Sequence, residues 1–465
     1  MERRERDHAG RMAGALDGRG RRAVDATRAL GVNGAATASV AGLDLRLTAA
    51  RRLREVLGGS RFQPFTAAEI ADGRDRALAN RLVTTALRRH GHLDVIIARL
   101  LDRGLPPRAG DFEAILRIGL AQLLWLPDLG AHSAIFLAVE AAKRDRKAAH
   151  LAKLLNAVLR RAQADAPKFQ TLPLEALFPE ASRQRWALAY GAAAVPAFSE
   201  ALLAGAPLDL TLRDDSPELV AELGATPVLA DSVRLETRDR PVEALPGYPE
   251  GRWWPQDAAA ALPARLIDLP RGATVLDLCA APGGKTAQLI KAGFAVTALD
   301  NDAQRLLRLR ANLDRLGYAA ETVEADAAKY KPAALFDAVL LDAPCSATGT
   351  FRRHPEVVWH RSAADIAGRV ALQRRLMANA ARCVRPGGVL IYCVCSLEPE
   401  EGEMQADWIA EALPELELLP IGAAEIGPLP ALTPAGHLRT HPAIEVPLPA
   451  TGTLDGFFIA RFRRR

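Results

Sequence analysis

Cysteine is scarce in this chain. Five occur in 465 residues, at 279, 345, 383, 393 and 395, an odd number confined to one stretch. That argues against a disulfide framework and predicts reduced thiols in a cytoplasmic protein. Long hydrophobic runs are missing too. None approaches the roughly 18 residues needed to cross a bilayer, so no membrane association is expected. The opening segment, MERRERDHAGRMAGALDGRGRR, lacks the apolar centre of a secretory signal. No internal repeat or low-complexity segment is evident. What remains is an ordinary globular composition, 49% hydrophobic and 25% charged. The chain is too long for one core, and about three domains are expected.

Charge is modest in total, +5, but unevenly placed. Residues 45–165 carry 21 Lys/Arg against 12 Asp/Glu, while the part beyond them is mildly acidic. A basic region joined to an acidic remainder suggests an anion-binding module appended to an enzyme; an Arg-rich solvated helical surface is the alternative. Residues 1–44, rich in Arg, Gly and Ala, read as a disordered leader, with Met12 as an alternative start. From 45 to 165, LTAARRLREVL, RALANRLVTTALRRHGHLDVIIARLL, FEAILRIGLAQLLWL, SAIFLAVEAAKR and HLAKLLNAVLRRA repeat apolar residues at three and four. They predict an all-helical bundle whose polar faces carry Arg51, Arg52, Arg54, Arg88, Arg89, Lys143, Arg144, Arg146, Lys147, Arg160 and Arg161. Residues 166–262 predict a small α+β subdomain, with strands at 208–215 and 232–239 and helices within 176–190 and 216–225. Trp253 and Trp254 could stack on a base, though paired tryptophans more often cover a domain junction. From 263 to 465, strands at 274–279, 296–300, 321–326, 338–342 and 388–396 alternate with helices. A last edge strand is expected at 455–464. That pattern predicts a mainly parallel, Rossmann-like sheet covered on both faces.

The loop after the first of these strands reads VLDLCAAPGGKTAQLI. Its glycines allow close backbone approach to a ligand at the carboxyl edge of the sheet. A phosphate-binding P-loop requires glycine where Cys279 stands, and a dinucleotide fingerprint requires a third glycine beyond Gly283 and Gly284. Neither fits. Asp300, Asp326 and Asp342 close successive strands. Asp300 could accept from ribose hydroxyls and Asp326 from an adenine amino group, a combination suited to S-adenosylmethionine; helix capping and turn formation are the alternative for each. Two further strands end in cysteine, in AVLLDAPCSATGT and GGVLIYCVCSLEPEE.

CAAPGGKT, LDAPCSATGT followed by RRHPE, and the CS-x-x-PEE block together resemble the RNA cytosine-5 methyltransferases. LLNAVLRR, ILRIGLAQLL and HSAIFLAVEAAK resemble the NusB-like RNA-binding domain. With that domain in front, the chain is similar to the bacterial 16S ribosomal RNA type of the family (RsmB/Sun/Fmu), over about residues 45–465. The resemblance implies three parts: an all-α NusB-like bundle, a small α+β middle subdomain, and an α/β class I S-adenosylmethionine-dependent methyltransferase domain. It implies that Cys395 attacks carbon 6 of cytosine, that Cys345 assists release, and that Asp342 meets the N3/N4 edge of the base. It assigns cofactor contacts to Cys279, Ala280, Ala281, Pro282, Gly283, Gly284, Lys285, Asp300, Asp326 and Asp342. No metal site is implied. The expected partner is RNA, as 16S ribosomal RNA or a small-subunit assembly intermediate, acted on by a monomer. The same chemistry on transfer RNA, or a non-catalytic RNA-binding assembly factor, are the alternatives; a DNA cytosine methyltransferase fits less well. Val394 stands where the family usually has Thr, and Glu356 where it usually has Asp. Cys393 shares a strand face with Cys395 and reads as a buried thiol. Arg352, Arg353 and His354 are candidates for the RNA path.

Overall fold

The computed structural model describes residues 40–235 and 241–465. The expected leader lies almost wholly outside the described residues, as does the end of the strand expected over 232–239. The leader's boundary needs one correction: Leu43 and Asp44 already belong to helix α1 (Leu43–Leu57). Leu43 is fully buried, one helical turn before Leu47 on the same apolar stripe.

Five more helices complete the bundle: α2 (Gly73–Arg88), α3 (His90–Leu100), α4 (Phe112–Trp125), α5 (Ala131–Arg144) and α6 (Ala152–Ala164). Helix α4, apolar but for Glu113, Arg117 and Gln122, is buried on nearly every side and packs against α1, α2, α5 and α6. Gly119 permits that packing: a Cβ there would stand 3.2 Å from Ala138 and 3.3 Å from Leu159. Three of the arginines expected on polar faces, Arg52, Arg88 and Arg89, are instead half-buried. The Arg89 guanidinium lies 4.9 Å from the centre of a Trp125 ring, and Arg88 packs against Gly205, filling the space a Cβ would need. Arg51, Arg54, Lys143, Arg144, Arg146, Lys147, Arg160 and Arg161 are exposed.

The middle region contains α7 (Ala166–Gln170), α8 (Glu180–Tyr190), α9 (Ala194–Ala204) and α10 (Pro217–Leu223). Its antiparallel sheet has the order β2 (Ala225–Leu229), β3 (Ser232–Leu235), β1 (Leu208–Leu212), β4 (Trp253–Pro255). Helices α8 and α9 do not pack on that sheet. Trp186 and Phe198 form a cluster with Phe351, Val358 and Leu397 of the C-terminal region. Trp253 lies in the core of the small sheet, and Trp254 packs against Ala281, Leu309 and Leu313. The tryptophan pair therefore seals a junction. Arg234 binds Asp209 through two nitrogens at 2.7 and 2.9 Å and donates to the carbonyls of Thr451 and Thr453, tying the small sheet to the chain's last loop.

The C-terminal region is the alternating fold the sequence predicts. Its helices are α11 (Leu262–Arg265), α12 (Gly284–Lys291), α13 (Ala303–Leu316), α14 (Ala363–Cys383), α15 (Glu403–Ala412) and α16 (Ala423–Ile426). Its strands are β5 (Thr274–Leu278), β6 (Ala295–Asp300), β7 (Glu321–Glu324), β8 (Phe336–Asp342), β9 (Val384–Val394), β10 (Leu416–Leu418), β11 (Leu438–Thr440) and β12 (Phe457–Arg464). The sheet order is β10-β12-β9-β8-β5-β6-β7, with β7 to β9 parallel and β12 antiparallel to β9. Period-two alternation divides the core between its faces. Val275, Leu340 and Ile391 pack on one side, and Leu276, Leu341 and Tyr392 on the other with α14 and α15. Strand β12 is not the edge expected of it. The short strands β10 and β11 both pair along its outer side, and three-residue strands leave little periodic signal to read.

Candidate active site

The carboxyl ends of β5, β6, β8 and β9 bring the motif residues to one edge of the sheet. After β5 the chain turns sharply. Cys279 adopts a left-handed φ of 61°, Gly283 one of 103°, and α12 starts at Gly284. Helix α13 and the end of β6 brace this loop. Asp300 accepts from the Ala281 N–H at 3.2 Å, Arg305 donates to the Ala281 carbonyl at 2.7 Å, and Asn312 donates to the Pro282 carbonyl at 2.9 Å. Asp300 thus acts on the loop from behind. Asp326 is exposed on the turn after β7, where it caps the Ala328 N–H.

Asp277, fully buried beneath the loop, accepts from the Thr286 hydroxyl at 2.6 Å through one oxygen, and its other oxygen has no partner. Burial raises its carboxyl to about 7, against the opposing Thr286 hydrogen bond and the Lys285 charge. The Cys279 thiol is pushed up to about 12, first by burial and then by Asp342, Asp300 and Asp277. It is a poor nucleophile there, and its contribution to the loop is its backbone.

The two strand-end cysteines meet. Cys345 Sγ lies 3.5 Å from Cys395 Sγ. Cys345 is buried and its thiol is held well above the ordinary range, by that hydrogen bond first and by burial second. Cys395 is half-buried, one residue past the end of β9. Cys393 has no exposed surface; burial, then the Asp342 charge, raises its thiol well above the ordinary range, and its sulfur faces Asp342 Oδ1 at 3.6 Å. The other Asp342 oxygen accepts from Lys285 Nζ at 2.7 Å. Burial alone would lower the Lys285 ammonium, but Asp342 and the nearby sulfurs raise it above its usual value. Phe457 lies under it, 5.4 Å from ring centre to nitrogen.

One buried carboxylate joins the two cysteine loops. Glu401 accepts from the Ser346 N–H at 2.9 Å, from the Ser346 and Ser396 hydroxyls, and from Gln373 at 3.0 Å. Ser346 and Ser396 each follow one of the paired cysteines, so Glu401 fixes the separation of the two sulfurs. Nothing in the sequence singles it out among the acids of SLEPEE. A second network corrects an expectation about the RNA path. Arg352 is buried and binds Asp257 and Asp455 at 3.0 and 2.7 Å, and Arg353 binds the same two carboxylates. Arg352 is structural; Arg353 and His354 reach the cavity wall. Asp257 and Asp455 stand almost 200 positions apart, beyond any local sequence signal.

A cavity of about 460 Å³ opens at this edge. Ala280, Ala281, Pro282, Gly284 and Lys285 form one wall, Asp342 and Cys395 another, with Asp277 at its base. Asp300, Asp326, Cys279, Gly283 and Cys345 are not on its surface. The lining suits S-adenosylmethionine. An unpartnered buried carboxylate oxygen can meet an ammonium group, and the apolar loop backbone can take the uncharged body of such a ligand. A half-buried sulfur on the opposite wall, beside a second thiol held protonated, can add to an electrophilic carbon and exchange a proton with its neighbour.

Residues 264–463 match the family described as 16S rRNA methyltransferase RsmB/F, and residues 44–164 match the NusB family. Ribosomal RNA small subunit methyltransferase B of Xanthomonas campestris pv. campestris is 40% identical over 451 residues, which are 92% of this chain and 98% of that protein. The protein of the same name from Vibrio cholerae is 34% identical, over 90% of this chain and 97% of its own length. The crystal structure of PH0851 shares the fold with a TM-score of 0.73 at 23% identity, over 92% of this chain and 99% of that one. The cofactor is S-adenosylmethionine. The chain belongs to the 16S rRNA methyltransferase RsmB/F family, with a NusB-family domain ahead of its methyltransferase domain.

Proposed function

We propose that this protein methylates carbon 5 of a cytosine in 16S ribosomal RNA, through a transient bond between Cys395 and carbon 6 of the base. The observation that carries the reading is the sulfur pair: Cys395 on the cavity wall and Cys345 3.5 Å behind it, facing the Lys285–Asp342 pair. Cytosine carbon 5 is a weak nucleophile. Addition of the Cys395 thiolate to carbon 6 forms a carbon–sulfur bond and moves the ring's π electrons toward carbon 5. Asp342, with Lys285 beside it, would hold the N3/N4 edge and favour protonation as the adduct forms. S-adenosylmethionine, when bound, supplies an electrophilic methyl group. The loop Ala280–Lys285 and Asp342 would hold it, with Asp300 bracing that loop from behind. Elimination then breaks the carbon 6–sulfur bond and restores the ring: Cys345 passes its proton to the departing Cys395 sulfur and, as the thiolate, takes up the carbon 5 proton. Cys345, the protonated neighbour, assists that release.

Bisulfite sequencing of ribosomal RNA from cells with and without this gene tests the reading. One protected cytosine in 16S ribosomal RNA should become convertible when the gene is removed. An unchanged pattern would sink the proposal. Cys395→Ala should abolish methyl transfer while S-adenosylmethionine still binds; retained activity would place the nucleophile elsewhere.

A further inference from the structure

The NusB-family domain reaches the catalytic edge itself. Between α1 and α2 the chain passes over the methyltransferase domain. There the buried Phe62 N–H donates to Glu356 at 3.0 Å, and the exposed Arg61 guanidinium contacts the His354 ring. At the start of α3, His90 packs on Trp359 with ring centres 4.4 Å apart. Within this seam lies a second cavity of about 110 Å³, bounded by Arg61, His354, His360 and Arg361. It shares Arg61, Thr350 and His354 with the main cavity, so the two form one trough. The trough passes close to both cysteines. The Gly349 N–H, beside Thr350, bonds the Cys395 carbonyl at 3.1 Å, and Arg361 donates to the carbonyl of Ser346, next to Cys345, at 2.9 Å.

Cations outnumber acids in the smaller cavity. The one acid among its lining residues, Glu356, is buried; its Oε1 meets the Phe62 N–H and His354, and its Oε2 has no partner. Two guanidinium groups and two imidazoles, from two domains, are the other ionisable groups of the lining. Two cations converging on a small opening beside a nucleophile suit an anion that arrives attached to the substrate. On a nucleic acid that anion is the phosphodiester.

We propose that this trough binds a phosphodiester flanking the target nucleotide, with Arg61 contacting it from the NusB-family domain and Arg361 from the methyltransferase domain. The proposal rests on the reading of the protein as an RNA methyltransferase. It makes the front domain part of the catalytic site as well as a separate RNA-holding module. The RNA would be registered on both domains within one nucleotide of the cysteine.

The test is equilibrium binding of unmodified 16S ribosomal RNA transcript to the full chain at several salt concentrations, for wild type, Arg61→Ala, Arg361→Ala and Arg385→Ala. Arg385 is exposed at the opposite end of the sheet, paired with Asp337. S-adenosylmethionine binding, measured separately, reports on folding. Arg61→Ala should lower the slope of log affinity against log salt by about one phosphate contact and raise KM for RNA several-fold. Arg361→Ala should do the same, and Arg385→Ala should not. If Arg61→Ala binds with the wild-type slope and KM, the proposal is wrong, whatever Arg361→Ala does. If wild type neither binds nor methylates the transcript, the RNA reading fails and takes this inference with it.

Discussion

Asp277 and Glu401 are both buried carboxylates, and their surroundings set them opposite tasks. Glu401 is surrounded by donors that occupy both of its oxygens. Asp277 has one donor and one empty oxygen, and burial raises it to about 7. An acid whose pKa rises on folding contributes stability that is full below its unfolded value and lost as pH climbs through the folded one. The ligand-free protein should therefore melt several degrees lower at pH 8 than at pH 5.5 from this group alone, and Asp277→Asn should narrow that gap in thermal scans. For Glu401→Gln the expectation differs. The amide nitrogen would face groups that are themselves donors, so at least one bond to Ser346 or Ser396 is lost, costing about 1–3 kcal/mol. The sulfur separation loosens with it. Turnover should fall at least tenfold while S-adenosylmethionine affinity holds; unchanged turnover would deny Glu401 its positioning role. Cys345→Ala removes the proton carrier and leaves Cys395 in place. RNA should then accumulate on the protein as a denaturant-stable adduct, visible as a shifted band, and no such band would undercut the release role.

Among the elements, the strands after the gly-rich loop were the most legible, because each is a short apolar run ending in a polar residue with a helix behind it. Cys345 and Cys395 could be placed at strand ends for that reason. Their mutual contact could not, since it depends on β8 and β9 being neighbours, which no local pattern encodes. The edge position expected of β12 fails for a similar reason: its outer partners are three residues long. Gly349 shows how tightly these elements are set. A Cβ there would meet the Gly456 carbonyl oxygen at 2.0 Å, while the Gly456 N–H bonds the Gly349 carbonyl at 2.8 Å. The loop carrying Cys345 and the entry to β12 touch backbone to backbone. Gly349→Ala must push them apart, so both the melting temperature and methyl transfer should drop sharply, and a fully active variant would show the contact to be dispensable.

At the scale of the whole molecule, the regions are joined by buried ions as much as by apolar surface. Asp257 precedes the large sheet, Arg352 and Arg353 follow the Cys345 loop, and Asp455 leads into β12. Asp209 and Arg234 of the small sheet extend the same tie to Thr451 and Thr453, and Arg352 also donates to the Thr453 carbonyl. The composition gives no hint of this, since arginine is abundant throughout the chain and nothing marks which ones are buried. The physics does distinguish two substitutions. Arg352→Ala strands two buried carboxylates with only Arg353 to meet them, and removing one partner of a buried network costs about 3–5 kcal/mol. Arg353 is partly exposed, so its loss lets water reach the acids it leaves behind. In chemical denaturation, Arg352→Ala should be the more damaging of the two by a wide margin. Because Asp257 and Asp455 also line the main cavity, the same variant should bind S-adenosylmethionine more weakly. If the two variants lose equal stability, Arg353 holds the network as firmly as the buried arginine does, and the argument from burial fails.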